Sequence, residues 1–111
     1  MNEEITEKLR KRTVKSFMDI LILAELKKGK SMSGYDVISF IHEKFGMLVS
    51  SGTIYSLLYS LERDGLIEGT WDKRKRVYTL TEEGEQDMRV ITNANGEIHN
   101  LLRKIMSPSQ S

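Results

Sequence analysis

The stretch Ser50-Ser51-Gly52-Thr53-Ile54-Tyr55-Ser56-Leu57-Leu58-Tyr59-Ser60-Leu61-Glu62-Arg63-Asp64-Gly65-Leu66-Ile67 constrains the fold more than any other part of this chain. Ile54, Leu57, Leu58 and Leu61 recur at spacings of three and four, the period of a helix with one buried side. Thr53, Ser56, Ser60 and Arg63 fall on the opposite side, with Tyr55 and Tyr59 along its edge. Short hydroxyls let a helix approach a partner closely. Ser50 or Ser51 can accept a hydrogen bond from a first-turn N–H as N-cap, and Gly65 suits the left-handed position after the last turn, from which Leu66 folds back toward Leu61. The helix is therefore short, and it hands the chain directly to a strand.

The flanking segments extend this plan. Val14 to Lys28 is apolar nearly all round a helix and is followed by Gly29, which predicts one central buried helix. Ser33 and Asp36 have the spacing of a capping box, and Val37, Ile38, Ile41 and Phe45 mark the inner face of a second helix that Gly46 ends. The link from Met47 to Ser50 is only four residues, which predicts helix-turn-helix geometry. Leu66 to Trp71 and Val77 to Thr81 are rich in β-formers, and the polar Asp72-Lys73-Arg74-Lys75-Arg76 between them reads as the basic tip of a hairpin. Trp71 is expected to fill core beside Val77 or Leu66, because large aromatics stabilise mainly by burial. Thr81 can cap a further helix whose first turn holds Glu82, Glu83 and Glu85 and which runs to about Met106. The expected fold class is mainly α with a small β-hairpin: a winged helix-turn-helix over 1–81 with an N-terminal helix, a C-terminal dimerisation helix over 82–106, and a disordered polar tail over 107–111.

Composition removes several alternatives. The 111 residues fit one domain with an appended helix and include no cysteine, so neither a disulfide framework nor a thiolate zinc site is possible. The acidic opening Met-Asn-Glu-Glu and a longest apolar run of only Ile20 to Ala24 argue against export and membrane insertion, so a cytoplasmic protein is expected. His42 and His99 have no carboxylate at metal-ligand spacing, and neither a glycine-rich phosphate loop nor a nucleophile elbow is present. Accordingly, no catalytic residue, metal or cofactor is expected, and both histidines read as surface residues.

Net charge is only +1, but the cations are clustered: Lys8, Arg10, Lys11, Arg12 and Lys15 form one block and Lys73 to Arg76 another. Such clusters are either local patches for a polyanion or ordinary solvated faces. Duplex DNA is the polyanion that fits. Thr53, Tyr55, Ser56, Tyr59 and Ser60 would face the major groove, flanked by Ser51 and Arg63. Lys73, Arg74, Lys75 and Arg76 would contact phosphates and the minor groove, and Tyr35 and Lys15 the backbone. The competing reading keeps the fold but makes it a protein-interaction module.

Met88, Ile91, Asn95, Ile98, Leu102 and Ile105 are spaced three, four, three, four, three, the pattern of a and d positions in a coiled coil. This stripe is the expected homodimer seam, with Asn95 either fixing its register or lying at its edge. The rival is packing against residues 14–28 of the same chain.

These residues resemble the PadR family of transcriptional regulators. The resemblance is carried by Ser33-Gly34-Tyr35-Asp36, Ser51-Gly52-Thr53-Ile54-Tyr55, Leu57-Leu58-Tyr59, Leu61-Glu62, Gly65-Leu66-Ile67, Trp71 and Arg76-Val77-Tyr78-Thr79-Leu80-Thr81-Glu82-Glu83-Gly84. It implies a homodimeric DNA-binding regulator, usually a repressor, joined through its C-terminal helix and often responsive to a small molecule. Two positions depart from the pattern: Ser56 stands where members commonly have proline, and Ser60 where a basic residue is common. Loss of that cation removes a side chain able to read guanine bidentately and shifts base discrimination toward hydroxyls, tyrosines and DNA shape. Residues 82–106 contain no Phe, Tyr or Trp, which argues against the aromatic effector cavity that some relatives use.

Overall fold

The computed structural model describes residues 2–107. In chain order it comprises α1 (Asn2–Ser16), α2 (Met18–Leu26), β1 (Met32–Ser33), α3 (Gly34–Phe45), α4 (Ser51–Arg63), β2 (Ile67–Asp72), β3 (Lys75–Leu80), α5 (Glu82–Asn93) and α6 (Asn95–Met106). Most of the tail expected to be disordered, residues 108–111, lies outside the described residues.

The apolar stripes meet as their periods require. Ile22 and Leu26 of α2, Val37 and Ile41 of α3, Ile54 and Leu58 of α4 and Ile67 of β2 are almost completely buried in one core. Each such side chain contributes roughly 1.5–3 kcal/mol by leaving water. The caps fix where the helices begin and end. Ser33 Oγ accepts from the Asp36 N–H at 3.1 Å, while Asp36 accepts from the Ser33 N–H at 2.9 Å, completing the capping box. Ser50, not Ser51, caps α4 by accepting from the Thr53 N–H at 3.2 Å. At the other end of α4, Gly65 adopts φ 81°, its N–H donates to the Glu62 carbonyl and the Leu66 N–H donates to the Leu61 carbonyl, both at 3.0 Å. This paired closure turns the chain sharply into β2.

In three places the fold departs from the sequence expectation. The helix expected from Val14 to Lys28 is interrupted at Phe17, whose N–H is shared between the Thr13 and Val14 carbonyls at 3.2 Å each. The break separates two unlike helices. Residues before it are polar on all sides, so α1 buries nothing, whereas α2 supplies Met18, Ile22, Leu23 and Leu26 to the core. The hairpin also gains a third strand, because β1 pairs antiparallel with β3 (Met32 opposite Tyr78, Ser33 opposite Val77) to give the order β1-β3-β2. Finally, the C-terminal helix is divided at Ala94, which has φ −88° and ψ 2°. α6, like α1, has no buried residue. Both terminal helices lie outside the core, and the radius of gyration is accordingly 15.8 Å, against about 13 Å for a compact domain of this length.

Two carboxylates are tied into this frame. Glu25 is buried on α2, where Lys30 and Lys28 (2.9 Å) both pair with it. The Lys30 hydrogen bond holds its pKa below the ordinary value against the opposing effect of burial. Asp36 is lowered too, chiefly by the Ser33 backbone N–H. A carboxylate whose folded pKa is depressed stabilises the protein at neutral pH, and the contribution is lost as pH falls through and below the ordinary carboxylate range. Equilibrium denaturation is therefore expected to show stability declining below about pH 4, with Asp36→Asn flattening the decline; an unchanged acid limb in that variant would contradict the assignment.

Candidate nucleic-acid interface

The polar side of α4 is open to solvent. Thr53, Ser56, Tyr59 and Arg63 are exposed and Ser60 is half-buried, while Ile54, Leu58 and Leu61 anchor the other side in the core. No acidic residue occupies the first turn of α4, so the positive end of its dipole is uncompensated by its own side chains. The Thr53 and Ser50 hydroxyls hydrogen-bond to each other at 2.8 Å, which ties Thr53 to the cap. Ser51 stands exposed in the same turn. Tyr59, 65% exposed, carries the Arg63 guanidinium 5.8 Å from its ring centre.

Two elements distant in sequence reach this face. The end of α1 brings Lys15 to it: Lys15, Met18, Thr53, Ser56, Leu57 and Ser60 line one groove of about 450 Å³. Its floor is apolar and its rim is hydroxyls and a cation. The start of α3 reaches it through Tyr55, whose ring packs on Gly34; a Cβ there would stand 2.5 Å from the ring. Tyr55 thus holds the two helices together while leaving half its surface exposed, and Tyr35 beside Gly34 is fully exposed.

The hairpin projects beyond the core. Asp72 and Lys75 face each other across a turn made of Lys73 and Arg74. Lys73 adopts φ 59°, the left-handed region in which glycine is sterically favoured, so the turn keeps a cation where an unstrained residue would carry no charge. Lys75 is close enough to Asp36 to lower its pKa, which sets this cation toward the α3 N-terminus.

Two expectations for the hairpin need correction. Arg76 does not belong to the tip. Its guanidinium reaches back across Gly69 to Glu62 of α4 at 2.7 Å, and Glu62 also accepts from the Gly69 N–H at 3.1 Å. A Cβ on Gly69 would stand 2.6 Å from Arg76 Nε, so glycine leaves the room this crossing needs. The Glu62 hydrogen bond raises the pKa of Arg76 further, and the guanidinium is committed to joining wing and helix rather than to a phosphate. Trp71 does not fill core either; it is 69% exposed, with Arg76 5.9 Å from its ring centre. Tyr78, two residues beyond Arg76 on the same face of the sheet, takes the buried aromatic position instead.

The six-residue seam is also divided. Met88 is buried in its own chain's core and Ile91 packs against that core, so the intramolecular alternative holds for this part of the stripe. Asn95 is exposed and Leu102 half-buried at the edge of α6. Ile98 and Ile105 are 39% and 63% exposed, and Leu101 and Met106 extend the same uncovered apolar surface. The last two were missed because the heptad passes over them, although Ile98, Leu101 and Ile105 also have helical spacing. His42 and His99 are both exposed, and no group of His, Cys, Asp and Glu able to hold a metal ion occurs among the described residues. No helix of the described residues is long and apolar enough to cross a membrane.

A helix-turn-helix followed by a projecting cationic hairpin, with a small sheet bracing the two, is a winged helix-turn-helix domain. Residues 22–90 match the model of the transcriptional regulator PadR-like family, and the chain belongs to that family. No curated protein matches the chain in sequence. Among solved structures, a PadR family transcription regulator from Clostridium difficile superposes with TM-score 0.71 at 24% identity, over 81% of this chain and 98% of that one. A PadR family transcriptional regulator from Eggerthella lenta superposes with TM-score 0.78 at 20% identity over 95% of both chains. Bacillus subtilis PadR, solved in complex with operator DNA, is 29% identical with TM-score 0.57, over 68% of this chain and 46% of that one. Members of this family are transcriptional regulators rather than enzymes.

Proposed function

We propose that this PadR-like regulator is a repressor that binds duplex DNA sequence-specifically as a homodimer, laying α4 in the major groove and the Lys73-Arg74 turn on the backbone. The observation that carries the reading is the composite face: exposed hydroxyls and tyrosines on a helix anchored by its other side, with Lys15 at one border and the wing cations at another. Each component answers a separate requirement of duplex recognition. Cations supply affinity by releasing counterions, and short polar side chains supply discrimination between base edges. The operator complex of Bacillus subtilis PadR supports the assignment. The uncovered apolar face of α6 supports the dimer, since two copies present two α4 helices to half-sites one helical turn apart, about 34 Å.

The two components should respond differently to substitution. Lys73→Ala with Arg74→Ala is expected to weaken binding to all duplexes alike and to reduce the slope of log affinity against log salt by about 2, near 0.9 for each lost phosphate contact. Ser56→Ala or Ser60→Ala is expected to leave that slope alone and to change which duplex is preferred in a selection from random sequence. Fluorescence polarisation across a salt series separates these outcomes. An unchanged salt slope after the wing double substitution would reject the backbone role.

A further inference from the structure

Trp71 occupies an unusual position for its type. The inner face of the hairpin runs Ile67 and Leu80, then Gly69 and Tyr78, then Trp71 and Arg76, these being the cross-strand partners from core to tip. Ile67 and Tyr78 are buried, and the core ends there. An indole one step further out would ordinarily fold over the core edge. Here that space is taken by Arg76, which crosses Gly69 to reach Glu62, so Trp71 lies outside the guanidinium with most of its ring in water. The arrangement is built rather than loose. Glu62 fixes the guanidinium from α4 and holds the Gly69 backbone as well, leaving Arg76 as a rigid backing for the ring.

We propose that Trp71 is a contact residue for duplex DNA: braced by Arg76, its indole packs against the deoxyribose wall beside the phosphates that Lys73 and Arg74 hold. The proposal rests on the DNA-binding reading above and deepens it. Charge decides the occupant. The residues between Trp71 and Arg76 are Asp72, Lys73, Arg74 and Lys75, so the apolar ring is bordered by a surplus of cations, which suits a polyanion with apolar sugar faces and repels a basic protein surface. The indole N–H is a donor without an acceptor, matching phosphate and sugar oxygens. The Glu62–Arg76 pair then has a second consequence: the same strut that positions the ring fixes the wing's inclination to α4, so the two contact surfaces approach the duplex in one rigid geometry.

The chain contains one tryptophan, so its emission reports on Trp71 alone. The test titrates the full-length protein with an end-labelled mixed-sequence duplex of about three helical turns, long enough for two half-sites. Polarisation follows the DNA while indole emission and acrylamide quenching follow Trp71. In the free protein the ring should be quenched readily; on binding, emission should shift and quenching fall along the polarisation isotherm. Trp71→Ala should weaken binding about tenfold, Trp71→Phe should restore most of it, and both should keep the wild-type salt slope, because the ring neutralises no phosphate. DNA binding with unaltered indole emission and quenching would overturn the proposal while leaving the function standing. Quenching that is already low in the free protein and rises on dilution would overturn it in favour of a second copy covering the ring. No polarisation change at low salt would remove the DNA-binding reading itself.

Discussion

Ile98→Asp combined with Ile105→Asp is expected to halve the mass measured by light scattering and to lower operator affinity by about a hundredfold or more, with the fold retained. Both side chains lie on α6, which contributes no buried residue to the core, so two carboxylates there cost the isolated chain little. Across a dimer seam they would have to be desolvated opposite one another without partners, which no apolar interface tolerates. The loss of affinity follows from linkage of the two half-sites. When two modules are joined, the second contact is intramolecular, and the gain over one module spans roughly 10²–10⁴. Circular dichroism should show nearly wild-type helix content, which separates dissociation from unfolding. A variant whose mass stays at two chains would remove α6 from the seam, and a wild-type mass of one chain would remove the homodimer.

The elements bearing on this interface were readable in the sequence to unequal degrees. α4 was legible because every signal agreed: a three-and-four apolar period, a serine at the start and a glycine at φ 81° past the end. The capping box of α3 was legible for the same reason. Periodicity says which side of a helix is buried, but it marks an end only where a cap, glycine or proline stands. Phe17 and Ala94 are none of these, so the breaks they make left no local trace. β1 is two residues long, too short to show alternation. The Glu62–Arg76 pair spans a helix end, a turn and most of a hairpin, a separation at which sequence carries no rule for pairing. Missing that pair caused two further errors together. Arg76 was grouped with the tip cations, and Trp71 was assigned the buried space that Arg76 and Tyr78 occupy.

Gly84→Ala should lower the melting temperature by about 10–20 °C, the reverse of what helix propensity alone requires. In a helix interior alanine is favoured over glycine by about 1 kcal/mol, and Gly84 lies within α5. Packing decides the outcome. A Cβ on Gly84 would stand 2.2 Å from the Leu66 carbonyl oxygen and 2.7 Å from Leu80 Cδ1. The first neighbour is backbone, and it is held in place by the Thr81 N–H, which donates to the Leu66 carbonyl at 3.1 Å. Thr81 in turn caps α5 through the Gly84 N–H at 3.0 Å and donates its hydroxyl to the Gly65 carbonyl at 2.6 Å. Relief therefore requires α5 to move away from the start of the hairpin, breaking this lacing and drawing Met88 out of the core. Such overpacking costs roughly 1–3 kcal/mol and more where backbone must shift, set against a total stability of about 5–15 kcal/mol. Each kcal/mol moves the midpoint of a domain this size by about 4–8 °C. Gly96→Ala provides the control with opposite sign, since nothing lies within 4 Å of a Cβ at that position of α6 and the propensity gain should appear as a rise of a few degrees. Thermal melts followed by circular dichroism decide between the two. A Gly84→Ala midpoint at or above wild type would mean that α5 can leave the Leu66 carbonyl freely and that the wing is not locked to the helix carrying Met88.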